Sequence, residues 1–130
     1  MDATGIRKQL KRHFSAWRPA NIVLTDPVYD DVDASDLQAE LVHIPARGDC
    51  DDYARELWCY LRHLHPQWPI GICLLSKVAS VKTNHAMIVC ACPDGPYLVE
   101  PQVVWDIGLS GMTKMWKAQP SMDRFYFVYI

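Results

Sequence analysis

Two helical stripes and a set of short apolar runs divide the chain. From Thr4 to Trp17, Ile6, Leu10, Phe14 and Trp17 recur at helical spacing while Arg7, Lys8, Lys11 and Arg12 face the other way, which predicts an amphipathic helix ended by Arg18-Pro19. A second stripe, Ala54, Leu57, Trp58, Leu61 and Leu64, predicts a helix that stops at His65-Pro66. Gly48 precedes it, and Asp49 with Asp52 three positions later reads as an N-cap with an acidic N3 residue. Ser35 with Gln38 predicts a capping box for a short helix through Leu41. Val42 to Arg47, with Pro45 inside, reads as an irregular approach to the Gly48 turn.

Beyond Pro66 the pattern changes to strands. Ile70 to Leu75 and Ala86 to Cys92 are short apolar runs, and Pro93-Asp94-Gly95-Pro96 is a turn into Tyr97 to Glu100. The last two runs are expected to form an antiparallel hairpin. Arg124 to Ile130, aromatic and β-branched, predicts a terminal strand. Val103 to Lys117 follows no single period: Gly108 and Gly111 disfavour a long helix, and Met112 to Trp116 is long enough for a helical turn or two. The expected architecture is one α+β domain over 1–130, with N-terminal helices and an antiparallel sheet after them.

Composition narrows the function classes. With 50% hydrophobic residues, 22% charged residues and a formal charge of −2, the chain can fill a core and offers no general electrostatic attraction to nucleic acid or an anionic membrane. Its start lacks the apolar segment of a signal peptide and no apolar run approaches a membrane span, so a cytoplasmic location is expected. Five cysteines, at 50, 59, 73, 90 and 92, form no C-x-x-C pair, which disfavours a disulfide framework and structural zinc. Cys90 and Cys92 would share one face of a strand as core thiols. His63 and His65 diverge on a helix and make a poor metal pair. The acidic segment Asp26 to Asp36 departs from a calcium loop, with Asp36 where an EF-hand needs glycine and Val42 where it needs glutamate.

The chemistry centres on Cys50, in the first turn of the second long helix, where unpaired N–H groups favour the attacking, anionic form of a thiol. The bland alternative is a small apolar residue at a helix start. His85 begins the first strand of the hairpin and Glu100 ends the second, so the turn brings imidazole and carboxylate to the same end of the sheet. If the helix packs across the sheet with its amino end towards them, Cys50, His85 and Glu100 become nucleophile, base and orienting acid. Asn84, beside the base, and Gln102, beyond the acid, are candidate supports. Asp49, Asp51 and Asp52 crowd negative charge around the thiol; a cation held by Asp51 and Asp52 would offset it, whereas helix capping alone would need none.

A cysteine on a capped helix, a histidine 35 positions on and an acid 15 further resembles the papain-like and transglutaminase-like cysteine hydrolases. Cys50-Asp51-Asp52, Asn84-His85 and Glu100-Pro101-Gln102 are similar to motifs of the C-terminal papain-like protease domain of the fairy-ring mushroom agglutinin and its bacterial and phage relatives. The resemblance covers Ser35 to Gln102 and implies a catalytic cysteine, histidine and glutamate, dependence on Ca²⁺ beside them and no organic cofactor. The resemblance takes in no lectin domain, so sugar targeting is not expected to transfer. The expected activity is cleavage of an amide, chiefly peptide, bond through an acyl-thioester on Cys50, with a peptide or protein as substrate. Acyl transfer to an amine needs the same triad. A non-catalytic interaction module on the same fold is a further alternative, to which five tryptophans and six tyrosines could supply a binding surface.

Overall fold

The computed structural model describes residues 1–13, 21–42, 48–76, 85–101, 114–118 and 124–130. In chain order they form α1 (Ala3–His13), β1 (Asn21–Val23), α2 (Ala34–Glu40), α3 (Cys50–Leu64), β2 (Ile70–Ser76), β3 (His85–Cys92), β4 (Gly95–Glu100), β5 (Lys114–Lys117) and β6 (Arg124–Tyr129). The strands make one six-stranded sheet in the order β1-β6-β2-β3-β4-β5.

The continuous apolar run of β3 follows from its cover on both faces. Met87, Val89 and Ala91 join a cluster with Ile6 and Leu10 of α1. Ala86, Ile88, Cys90 and Cys92 join another with Leu37 of α2 and Ala54, Leu57 and Leu61 of α3. Side chains alternate across a strand, so one run serves two layers. Trp58 ties α3 to the sheet, its Nε1–H donating to Ile70 O at 3.0 Å and its ring meeting Tyr129 edge-on at 5.7 Å. Gly71 allows a close approach of β2 to the chain end, since a Cβ there would lie 1.8 Å from Tyr129 O.

The two long helices and four of the strands stand where the pattern predicts them. Two expectations are corrected and one open stretch takes a definite state. The sheet is mostly, not wholly, antiparallel: β1 joins β6 in parallel and precedes two of the helices. Three residues are too short to register as a strand in sequence; pairing with β6 decides their state. Lys114–Lys117, in the stretch that follows no single period and has room for a helical turn, is strand, because the free edge of β4 accepts it through pairs such as Leu98↔Trp116. The N-cap of α2 is Asp33, two residues before Ser35. Its Oδ1 accepts from the Asp36 N–H at 2.9 Å and from the Ser35 hydroxyl at 2.6 Å. An aspartate does this better than serine because its charge also suits the helix dipole.

The acidic segment is anchored at Tyr29. Buried Tyr29 donates its hydroxyl to Ile130 O at 3.2 Å and accepts from the Asp26 N–H at 3.0 Å. On the basic face of α1, Arg7 donates to Ile22 O at 2.7 Å, occupying a carbonyl of the edge strand β1. Phe14–Trp17, residues 43–47, and the stretch from Gln102 to Thr113 lie outside the described residues. Among the described residues no helix is long and apolar enough to cross a membrane.

Candidate active site

The start of α3 is fixed by a fold-back that only glycine permits. Gly48 has φ +122°, and a Cβ on it would lie 1.8 Å from Asp52 Oδ2. That oxygen instead accepts from the Asp49 N–H at 3.0 Å, while Asp52 Oδ1 accepts from Arg55 at 2.7 Å. Cys50 is thereby held as the first helical residue, with its own N–H among those for which a helix provides no acceptor. Its side chain is half-buried against the cluster containing Ala86 and Ile88.

Across the open end of the hairpin, His85 Nε2 and Glu100 Oε2 form a short hydrogen-bonded contact, with both side chains largely buried at 18% and 15% exposure. The N–H of the next residue, Ala86, donates to Cys50 Sγ at 3.4 Å. Strand geometry explains why this N–H is available. N–H groups of β3 point alternately to β2 and β4. The Ala91 N–H goes to Pro69 O on the β2 side, so that of Ala86 points to the β4 side. The β3–β4 pairing stops at Ile88↔Val99, and the sulfur takes the place of a ladder acceptor. Sγ therefore lies within about 6 Å of His85 Cα, from bond geometry. The imidazole of β3 and the carboxylate of β4 are in contact at one end of the sheet, and the thiol of α3 touches the main chain beside that imidazole.

The other thiols behave differently. Cys73, Cys90 and Cys92 are buried; Cys90 is pushed well up by its hydrogen bond with Cys92 and by burial, which keeps it protonated. Cys59 is exposed on α3, beside a groove of about 360 Å³ lined by Thr25, Trp58, Arg62 and Tyr129. A second groove, of about 340 Å³, lies between Gln9, Arg12 and His13 of α1 and the Pro93–Pro96 turn. His63 is exposed, whereas His65 stacks on Trp68 at 3.8 Å and faces Glu40 at 3.4 Å, so the two do not converge.

Asp49, Asp51 and Asp52 each bring a carboxylate oxygen within 4.8 Å of the others. Oxygens bound to one Ca²⁺ at about 2.3–2.6 Å can lie that far apart, so the three residues fit a cation. A hydrogen bond with Asp51, followed by their mutual repulsion, raises the Asp49 carboxyl from its ordinary value; the same hydrogen bond lowers that of Asp51. Asp49 completes a set expected from Asp51 and Asp52 alone, and its signal in the sequence is the i, i+2, i+3 clustering at a helix start. Asn84 and Gln102 lie outside the described residues. The Ala86 contact is a main-chain contribution that residue type does not announce.

No protein-family model matches the chain, and neither the curated proteins nor the solved structures yield a significant match. The architecture defines the class: an α+β protein whose described residues form three helices on a six-stranded, mostly antiparallel open sheet.

Proposed function

We propose that the chain is a cysteine hydrolase of the papain-like and transglutaminase-like kind, cleaving an amide bond, chiefly a peptide bond. The observation that carries this reading is the His85–Glu100 contact beside a half-buried thiol whose sulfur touches the next main-chain N–H. With Nε2 engaged by Glu100, Nδ1 is the nitrogen left to accept the thiol proton.

In this reaction His85 takes the proton of Cys50, and Sγ forms a bond to the amide carbonyl carbon. The resulting oxyanion receives the Cys50 N–H, in line with an oxyanion hole. The imidazolium returns the proton to the leaving nitrogen, the C–N bond breaks and an acyl-thioester remains. Water, deprotonated by His85, then attacks the thioester, and the sulfur leaves with the proton restored. Glu100 orients the ring and balances its transient charge. Resemblance to the agglutinin protease domain adds the proposal that Asp51 and Asp52, with Asp49 clustered beside them, hold Ca²⁺, which would offset negative charge beside the nucleophile.

The test uses iodoacetamide followed by peptide mapping. Selective modification of Cys50, slowed by His85→Ala, supports the reading; equally slow modification of Cys50 and Cys59 would instead favour a non-catalytic module. Incubating a casein digest with a fluorescent primary amine separates hydrolysis from transfer, since a transferase incorporates the amine.

A further inference from the structure

We propose that the main-chain N–H of Ala86 is a positioning group that sets the distance between nucleophile and base; the inference rests on the hydrolase reading and concerns the same site. Cys50 and His85 belong to a helix and a strand whose relative placement depends on many side-chain contacts across a buried layer. Such packing tolerates shifts of a fraction of an ångström, and an error of about 1 Å between reacting groups costs about a hundredfold in rate. The 3.4 Å contact from the Ala86 N–H to Cys50 Sγ bypasses that layer. It joins the sulfur to the very peptide unit that carries the base, so one peptide unit separates the anchor of the thiol from the Cα of His85.

The contact also directs the thiol proton. A sulfur that accepts from Ala86 on one side has its own S–H turned elsewhere, and a rotamer held in this way keeps that hydrogen available to the imidazole. The strand is built to spare this donor. Ala86 lies beyond the last β3–β4 pair, on the side where β4 would otherwise have taken its N–H, and Pro101 follows Glu100 directly. The Ala86 side chain, 2% exposed, packs under α3. Residue 86 thus acts through its backbone, a function that no change of side chain removes except proline.

The experiment removes the hydrogen-bond donor without changing the side chain: an ester analogue carrying lactic acid in place of Ala86, made by nonsense suppression in the full chain. The iodoacetamide rate at Cys50 is expected to fall about tenfold to a hundredfold, whereas Ala86→Gly, which keeps the N–H, should retain most of it. A purely structural role would slow both variants alike, and that result, or an ester analogue as fast as the parent, overturns the proposal. A second measurement does not depend on the analogue folding. Hydrogen exchange at the Ala86 amide is expected to quicken about tenfold or more in Cys50→Ala while that of Ile88 stays unchanged. Unchanged protection of Ala86 overturns the proposal as well. His85→Ala, measured beside them, separates the two claims: a Cys50 rate indifferent to His85 but sensitive to the ester defeats the hydrolase reading and leaves the anchor standing.

Discussion

His85 and Glu100, fifteen residues apart, are diagonal partners at the open end of a hairpin: the register Ile88↔Val99, continued by one pair, sets Glu100 opposite Met87 and two places from His85. Diagonal neighbours share a face, and an imidazole and a glutamate are long enough to close the gap of about 7–8 Å between their Cα atoms. The first prediction concerns this pair. Glu100→Gln preserves a hydrogen-bond acceptor but cannot balance an imidazolium, so peptide turnover should fall by about 10²–10⁴-fold with little change in thermal midpoint. Turnover equal to that of the parent would assign Glu100 a purely structural part.

Cys50 and Leu57 lie on one helix and should answer mutation in opposite ways. Cys50→Ala is expected to abolish turnover while leaving the urea midpoint nearly unchanged, because its half-buried side chain adds little to the core. Leu57, 1% exposed within the cluster between α3 and the sheet, should lose about 2–5 kcal/mol on replacement by alanine, with the folded fraction still active. Unfolding of Cys50→Ala would make the residue structural and remove the nucleophile.

The three clustered aspartates predict a response to chelation. EDTA should slow iodoacetamide modification of Cys50 and added Ca²⁺ should restore it, with recovery weakened in Asp49→Asn, Asp51→Asn and Asp52→Asn. A rate indifferent to both reagents excludes a cation at this helix start and leaves the dyad of His85 and Glu100 standing.

Asp33 predicts an acid limb in stability. Its carboxyl is held below the ordinary value of 3.8, first by the Ser35 hydroxyl and then by the Asp36 N–H. A folded-state value below the unfolded one means that the unfolded chain binds more protons in this range. The contribution is therefore fully present above pH 3.8 and is lost as pH falls through the lowered value. Asp33→Asn, which does not titrate, should show a flatter fall in urea midpoint between about pH 5 and pH 2 than the parent. Parallel acid limbs in the two proteins would show that the cap carries no charge-linked stability.

The sequence by itself determined the elements whose cause is local. The stripe through Ala54, Leu57 and Leu61, bounded by Asp49 with Asp52 and by His65-Pro66, holds its own start, face and stop, although Leu64, at the end of the expected stripe, is 45% exposed. The hairpin is equally local: the Pro93-Asp94 turn, with Gly95 at φ +132°, pairs β3 with β4 and so sends His85 and Glu100 to one end. Tertiary structure alone decided the rest. Asn21–Val23 and Lys114–Lys117 are strands because β6 and β4 had edges to fill, and short segments take the state that pairing offers. Even the cap of α2 moved from Ser35 to Asp33, where two donors converge on one carboxylate. The contact between Cys50 and Ala86 spans 36 residues and uses a main-chain N–H identical in every residue but proline. Its partner is chosen by where β4 stops and how α3 lies on the sheet, and those are properties of packing that a one-dimensional pattern does not contain.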